Sequence, residues 1–198
     1  MTRPKILHMN PPTHPVDVTN FQPEDVRLFD IAHSLSHQGR FNGYLREFYS
    51  VAQHLVLTQR IAACFDEPIE IQRACLIHDA AETYLADLPT PVKVLVPDYL
   101  KLEKAVEEVL WPTLGVPATD EVRERVKIYD THALHLEANA LLFYNSGWIK
   151  PDPELLIRFP IRPQDPKVAF RTFCNRLRDF GYNISKEPNE IWLPRFKA

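Results

Sequence analysis

Apolar side chains recur at helical spacing through most of the chain. In the first such segment, Val26, Phe29, Ile31 and Leu35 follow the helical period, and residues 46–65 show it more strongly. The predicted helices cover residues 24–38, 46–65, 70–86, 98–111, 120–144 and 165–180. No alternating strand pattern is longer than a few residues. The sequence therefore predicts an all-α fold in a single domain.

Proline and glycine separate these predicted helices. The chain has 18 prolines and 5 glycines, and the prolines concentrate near the ends and in connectors such as residues 151–166. Proline is accepted in loops and at helix starts but not in helix interiors. We predict that residues 1–23 form an irregular arm and that Gly39 and Gly43 bracket a loop. Asp120 is the predicted N-cap of its helix.

The composition limits the classes of partner and the cellular compartment that we expect for the protein. The chain has 198 residues, 45% apolar and 25% charged, with a net charge of −3. That charge provides no general attraction for nucleic acid or membrane surfaces. Cys64, Cys75 and Cys174 are odd in number and lie in apolar helical segments, as is typical of buried thiols in a reducing compartment. Since no apolar run reaches the roughly 18 residues of a bilayer span and no leader opens the chain, we expect a cytoplasmic protein.

Four polar side chains lie inside apolar helical segments. His78 and Asp79 are adjacent in the run LIHDAAETYLADLPTP, His54 lies in the preceding predicted helix, and Asp130 lies in the long one. Burying ionisable groups is costly unless something compensates them, and a divalent metal can do so. Singly, His54 is typical of a hydrogen-bonded core histidine and Asp130 of a surface residue. Together, the four predict one site for Co, Mn, Fe, Mg or Zn.

Two acidic residues follow the His-Asp pair. Glu82 lies four residues after His78, so a continuous helix would place both on one face, where Glu82 could transfer protons. Asp87 begins a loop that Pro89 and Pro91 stiffen, and it could position a water or bind a sugar hydroxyl. The alternative for Glu82 is a solvated residue or a partner of a ligand histidine, and for Asp87 it is helix capping.

Two basic residues could bind phosphate. Arg40 lies in the Gly-bracketed loop, where its planar guanidinium suits phosphate oxygens, and Lys93 follows the proline loop. Together they could form a local cationic patch, although either one alone is typical of an ordinary surface charge. A base could stack near Phe41, Tyr44 or Tyr84.

The order of these residues resembles a known family. His54, His78-Asp79 and Asp130 reproduce the H…HD…D pattern of the HD-domain metal-dependent phosphohydrolases, and the resemblance covers most of residues 16–145. Its most specific segments are DIAHSLSHQGRFNG, FYSVAQH and LIHDAAETYLADLPTPVK. They look like the 5'-deoxynucleotidases and the phage dATP triphosphohydrolases.

The resemblance implies a single HD-domain helical bundle over residues 1–198, with a core at about 16–145, an N-terminal arm and a C-terminal helical extension. It implies one divalent ion. The HD proteins that bind two ions have extra histidines between the HD pair and the last Asp, and here no histidine lies between His78 and His132. The ligands of the single ion would be His54, His78, Asp79 and Asp130. Glu82 and Asp87 would lie near the reacting phosphate, and Arg40 would bind it. Phe41 stands where the deoxynucleotidases have Trp. The family is often homo-oligomeric.

We therefore predict a metal-dependent nucleotide phosphohydrolase that removes phosphate or triphosphate from nucleotides such as dATP. One alternative is a 5'-deoxynucleotidase that acts on deoxynucleoside monophosphates. A second is a non-catalytic nucleotide-binding sensor, which would not need the acid or base that Glu82 provides. A third is a helical scaffold with a structural metal, but the cysteines lack the CxxC spacing of structural zinc sites.

Overall fold

Helices account for most of the chain in the computed structural model, which describes residues 6–8, 15–144 and 147–184. The first half contains α1 (Leu28–His37), α2 (Val51–Cys64), α3 (Ile69–Ile77), α4 (Glu82–Leu85) and α5 (Thr90–Lys93). The second half contains α6 (Pro97–Thr113), α7 (Asp120–Leu141), α8 (Pro153–Arg158) and α9 (Pro166–Asp179). The prediction of an all-α fold is confirmed. Among the described residues, none of these helices is long and apolar enough to cross a membrane.

Side-chain caps determine where several helices begin. The Ser50 hydroxyl accepts a hydrogen bond from the backbone N–H of Gln53, whose side chain caps Ser50 in return, so α2 begins at Val51 and not near residue 46. Asp152 and Asp165 cap α8 and α9, and a proline occupies the first turn of each helix. The proline-rich segment 151–166 therefore contains a helix that we did not predict. The cap of α7 is Thr119 and not Asp120.

The centre of the fold is α2. This helix packs against α1, α3, α7 and α9, and eleven of its fourteen residues are buried. Neighbouring helices enclose most of α2, and His54 lies on an enclosed face and is fully buried. The packing of α3 and α7 on α2 brings the other predicted metal ligands towards His54.

The N-terminal arm is more regular than predicted. Strand β1 (Ile6–His8) pairs antiparallel with β2 (Pro15–Asp17), with Leu7 opposite Val16. Short 3₁₀ turns follow at Val18–Asn20 and Pro23–Asp25. The predicted irregular arm is therefore wrong for these segments, while residues 1–5 and 9–14 lie outside the described residues.

The helix predicted over residues 70–86 is interrupted at the His-Asp pair. A turn covers residues 78–81 between α3 and α4. In this turn the N–H of Ala80 donates to the carbonyl oxygen of Ile77 at 2.9 Å, and the N–H of Glu82 donates to the carbonyl oxygen of Asp79 at 3.0 Å. These are i to i+3 hydrogen bonds, as in a 3₁₀-helix, and they align side chains that are three positions apart. Asp79 and Glu82 therefore share one side of the chain, which corrects the predicted pairing of Glu82 with His78.

The last helix belongs to the same core as the helices of the predicted domain. Phe173 of α9 is fully buried, and α9 packs against α1 and α2. We expect Phe173→Ala to lower the free energy of unfolding by about 3–5 kcal/mol, because it leaves a cavity in a packed core. Val168→Ala, at a site that is 40% exposed on the same helix, should cost about 0.5 kcal/mol. Urea unfolding would show this, and equal costs for both variants would contradict the packing of α9.

Candidate functional site

Four predicted ligands converge where α2, the turn after α3 and α7 meet. The Nε2 atoms of His54 and His78 lie 3.4 Å apart. Asp79 Oδ2 lies 3.6 Å from His54 Nε2 and 3.3 Å from His78 Nε2. Asp130 Oδ1 lies 3.2 Å and 4.0 Å from the same two nitrogens. His54, His78 and Asp79 form a group that could hold a metal ion, and Asp130 faces it from α7.

The separations among His54, His78 and Asp79 fit a common central ion, whereas the 4.0 Å between Asp130 Oδ1 and His78 Nε2 is longer. Donors about 2.1 Å from one centre lie about 3.4 Å apart in a tetrahedral arrangement and about 3.0 Å apart at adjacent octahedral positions. The ring orientations fit as well. His54 Nδ1 lies 2.9 Å from Glu137 Oε1, and His78 Nδ1 lies 3.0 Å from the carbonyl oxygen of Cys75. Because both partners are acceptors, each Nδ1 donates a hydrogen bond, and these bonds orient each ring so that its Nε2 faces the centre.

The electrostatics of the site favour a positive charge between the ligands. Burial and the Arg40 guanidinium would lower the pKa of His54, but the carboxylates of Glu137 and Asp130 raise it to about 9. Burial would raise the pKa of Asp79, but the His78 imidazole holds it below its usual range. The carboxylates therefore remain ionised around the histidines, as a cation site requires.

A cavity of about 440 Å³ opens beside these ligands. Its size is typical of sites for small molecules. The predicted acidic and basic residues of the site and Phe41 border it, together with two of the predicted ligands. These residues are Arg40, Phe41, Asp79, Glu82, Asp87, Lys93 and Asp130. The fold thus brings the predicted site residues together, with His54 and His78 buried behind the cavity wall.

Glu82 is a buried acid at this cavity. The residue is only 4% exposed, and its Oε2 has no hydrogen-bond partner among the described residues. Burial raises the pKa of Glu82 well above its usual value, and the nearby carboxylates of Asp79 and Asp87 raise it further. The arrangement favours a protonated carboxyl group that can donate a proton into the cavity.

Gln38, which the sequence analysis did not identify, supports the segment that carries Glu82 and Asp87. Its side-chain amide donates to the carbonyl oxygen of Glu82 at 3.0 Å, and its Oε1 accepts from the N–H of Asp87 at 3.3 Å. Between them, Ala86 has a φ of 67°, an unusual value for a residue with a side chain. The glutamine therefore stabilises a sharp turn that directs Asp87 to the cavity.

Arg40 lies between two carboxylates. Its Nη2 is 3.3 Å from Glu137 Oε2, and its Nη1 is 3.9 Å from Asp79 Oδ2. The next residue, Phe41, has a φ of 54°, and its ring lies 5.6 Å from the guanidinium. The backbone leaves the usual right-handed region where the arginine must turn inwards. Such strain is found at functional sites.

The predicted cationic patch is therefore neutralised by acidic partners. Lys93 Nζ lies 2.7 Å from Glu103 Oε1, and Lys127, which the sequence analysis did not identify, lies 2.7 Å from Asp130 Oδ2. Lys127 also borders the cavity. The structure places Lys93 at the cavity as predicted, but as one member of an ion pair and not as a free charge.

The aromatic walls differ from those predicted. Tyr84 is buried away from the cavity, with its hydroxyl bonded to the carbonyl oxygen of Asp25, and Tyr44 is 74% exposed and does not border the cavity. Of the three proposed stacking partners, Phe41 alone borders it, and the other walls include Leu134 and Trp148. Leu134 lies one helical turn after Asp130, a spacing that could have revealed it. No pattern in the sequence marks Trp148.

Comparison with known proteins finds two relatives over most of the chain. The chain is 36% identical to uncharacterized protein YfdR of Escherichia coli over 163 residues, which cover 80% of this chain and 86% of the relative. The chain belongs to the YfdR family. It is also 30% identical over 173 residues to an uncharacterized protein of Rhodobacter capsulatus, covering 81% of this chain and 88% of that protein. No family model matches the chain.

A bound ion should stabilise the fold. At a free Mn²⁺ or Co²⁺ concentration of about 100 times the dissociation constant, we expect about 2.7 kcal/mol of added stability. For a chain of this size, the melting temperature should rise by roughly 5–10 °C, and EDTA should reverse the shift. Differential scanning fluorimetry would measure it.

The matched control for this stabilisation is a pair of histidine variants. His78→Gln should remove most of the shift because it removes a ligand. His132→Gln should keep it, because His132 stacks on Phe65 with ring centroids 5.9 Å apart and does not belong to the ligand group. Equal shifts in both variants would place the ion elsewhere.

Proposed function

We propose that the protein is an HD-domain metal-dependent phosphohydrolase that acts on nucleotides, removing phosphate or triphosphate from substrates such as dATP. The observation that carries this proposal is the convergence of His54, His78, Asp79 and Asp130 beside a cavity that Asp79, Asp130 and Glu82 line. A structural metal site is usually enclosed by its ligands. Here a ligand group, a buried acid and basic side chains share one accessible cavity.

The four ligands would hold one divalent ion, and Mn and Co suit their mixture of imidazole and carboxylate. Such an ion supplies a Lewis acid that polarises a phosphoryl oxygen and lowers the pKa of a water molecule. Glu82 would donate or accept the proton that moves during phosphoester cleavage. Arg40, whose Nη1 lies 3.9 Å from Asp79 Oδ2, would contact a phosphate oxygen and balance negative charge in the transition state.

The charges along the cavity support an anionic substrate only when an ion is bound. Three basic residues and four acidic residues border the cavity: Arg40, Lys93, Lys127, Asp79, Glu82, Asp87 and Asp130. With all seven residues ionised, the lining carries one excess negative charge. A divalent ion makes the lining positive, so metal binding should precede tight binding of a phosphate compound.

We favour triphosphates over monophosphates as substrates because the RFNG loop and the arm before it resemble the phage dATP triphosphohydrolases. The two reactions give different products. Hydrolysis of a monophosphate releases a nucleoside and inorganic phosphate, whereas hydrolysis of the bond between the α-phosphorus and the 5'-oxygen of a triphosphate releases a nucleoside and triphosphate. We also propose a homo-oligomer in the cytoplasm. Cys75 and Cys174 are buried and Cys64 is half-buried, as suits a reducing compartment.

A substrate screen tests the proposal. The protein is incubated with ribo- and deoxynucleoside mono- and triphosphates in the presence of Mn²⁺, Co²⁺ or Mg²⁺, and the products are separated by anion-exchange chromatography. We expect turnover that requires the metal and gives a nucleoside together with phosphate or triphosphate. Tight nucleotide binding without turnover would instead support the sensor.

A further inference from the structure

Glu137 is a fully buried carboxylate behind the candidate metal site. It lies on α7, seven residues after Asp130, and its side chain is 0% exposed. A buried charge is stable only if partners compensate it. Glu137 has two such partners, and each of its oxygens serves a different one.

The two oxygens of Glu137 connect the ligand group to the substrate cavity. Oε1 lies 2.9 Å from Nδ1 of His54, and Oε2 lies 3.3 Å from Nη2 and 3.4 Å from Nε of Arg40. The first contact orients an imidazole whose Nε2 faces the metal position. The second holds the guanidinium at the cavity wall, next to the strained backbone of Phe41.

We infer that Glu137 is a positioning residue that holds both a metal ligand and the phosphate-binding arginine. The part that concerns Arg40 rests on the proposed function, whereas the part that concerns His54 rests on the contact alone. The carboxylate keeps the proton of His54 on Nδ1, so that Nε2 is free to bind the ion. Through its other oxygen it keeps Arg40 preorganised for an anion.

The first test is metal affinity in the absence of substrate. By titration calorimetry with Mn²⁺, Glu137→Gln should bind the ion roughly 10–100-fold more weakly than the wild type. The matched control is Glu124→Gln, at an exposed position of the same helix, which should bind within about 2-fold of the wild type. Circular dichroism shows whether each variant is folded at the temperature used. A folded E137Q with unchanged affinity would overturn the His54 role, since a purely structural residue would leave metal binding intact.

The second test is a double-mutant cycle on catalysis, at saturating Mn²⁺ and with the best substrate from the screen. If Glu137 acts through Arg40, E137Q should lower kcat/KM by about 10-fold or more in the wild type but by less than about 3-fold in an Arg40→Met background. Equal effects in both backgrounds would overturn the Arg40 role. If no nucleotide is hydrolysed, the proposed function fails, and the calorimetry still decides the His54 role.

A second variant tests the same role if E137Q fails to fold. If E137Q does not fold, the double variant E137M/R40M replaces both charges with side chains of similar length, a change that is commonly tolerated in buried ion pairs. It should still bind Mn²⁺ roughly 10–100-fold more weakly than R40M alone, because His54 has lost its acceptor. Equal affinities of R40M and E137M/R40M would overturn the inference.

Discussion

Replacing Asp79 by Asn should lower kcat/KM for nucleotide hydrolysis at least about 1000-fold, which corresponds to about 4 kcal/mol of transition-state stabilisation. Asp79 Oδ2 lies 3.3–3.6 Å from both histidine nitrogens, and its carboxylate contributes charge to the ligand group. An amide oxygen is neutral and binds a divalent ion more weakly. Mn²⁺ affinity should therefore fall together with the rate.

The matched control for Asp79→Asn is Asp98→Asn. The side chain of Asp98 is 93% exposed, and its pair with Lys101 lies on the surface of α6, so its loss should change stability and rate little. Both variants should melt within a few degrees of the wild type. If Asp79→Asn kept wild-type hydrolysis while folded, the proposal that a bound ion drives the reaction would be wrong.

Glu82→Gln should lower kcat by about 100- to 10,000-fold and leave Mn²⁺ affinity nearly unchanged, within about 3-fold. Glu82 borders the cavity but does not belong to the ligand group, and a glutamine of the same shape cannot transfer the proton. The combination of normal metal binding and lost turnover distinguishes a proton-transferring residue from a ligand. Calorimetry with Mn²⁺ and steady-state kinetics provide the two measurements.

Glu108→Gln, at an exposed position of α6, is the control for Glu82→Gln and should keep wild-type kcat. A Glu82→Gln variant with wild-type turnover would exclude proton transfer by this residue. If the wild type and both variants bound nucleotide equally and hydrolysed none, the non-catalytic sensor would replace the enzyme as the favoured function.

The helices that carry the ligands could be predicted from the sequence because burial leaves a strong periodic signal. His54 lies among Val51, Ala52, Leu55 and Val56, all buried in the structure, so its place in a central helix followed from its neighbours. The same reasoning placed Asp130 on a second helix that meets the first. Polar residues within apolar periods are informative because the fold must provide partners for them.

Features that depend on tertiary contacts could not be predicted. The apolar run around residues 78–81 contains no residue that indicates a turn. Helical spacing in the sequence therefore pairs Glu82 with His78, whereas the structure places Glu82 on the side of Asp79. Glu137 is 97 residues from Arg40 in the sequence, so only folding brings these two side chains together. Glu137 does follow Asp130 by seven residues on α7, a spacing that returns to the same helical face, and this signal was available.

Anomalous diffraction from crystals grown with Mn²⁺ would show where the ion binds. We expect one strong anomalous peak about 2.0–2.3 Å from Nε2 of His54, Nε2 of His78 and a carboxylate oxygen each of Asp79 and Asp130. A map without a peak between these side chains, or with its only strong peak bound to other residues, would contradict this expectation.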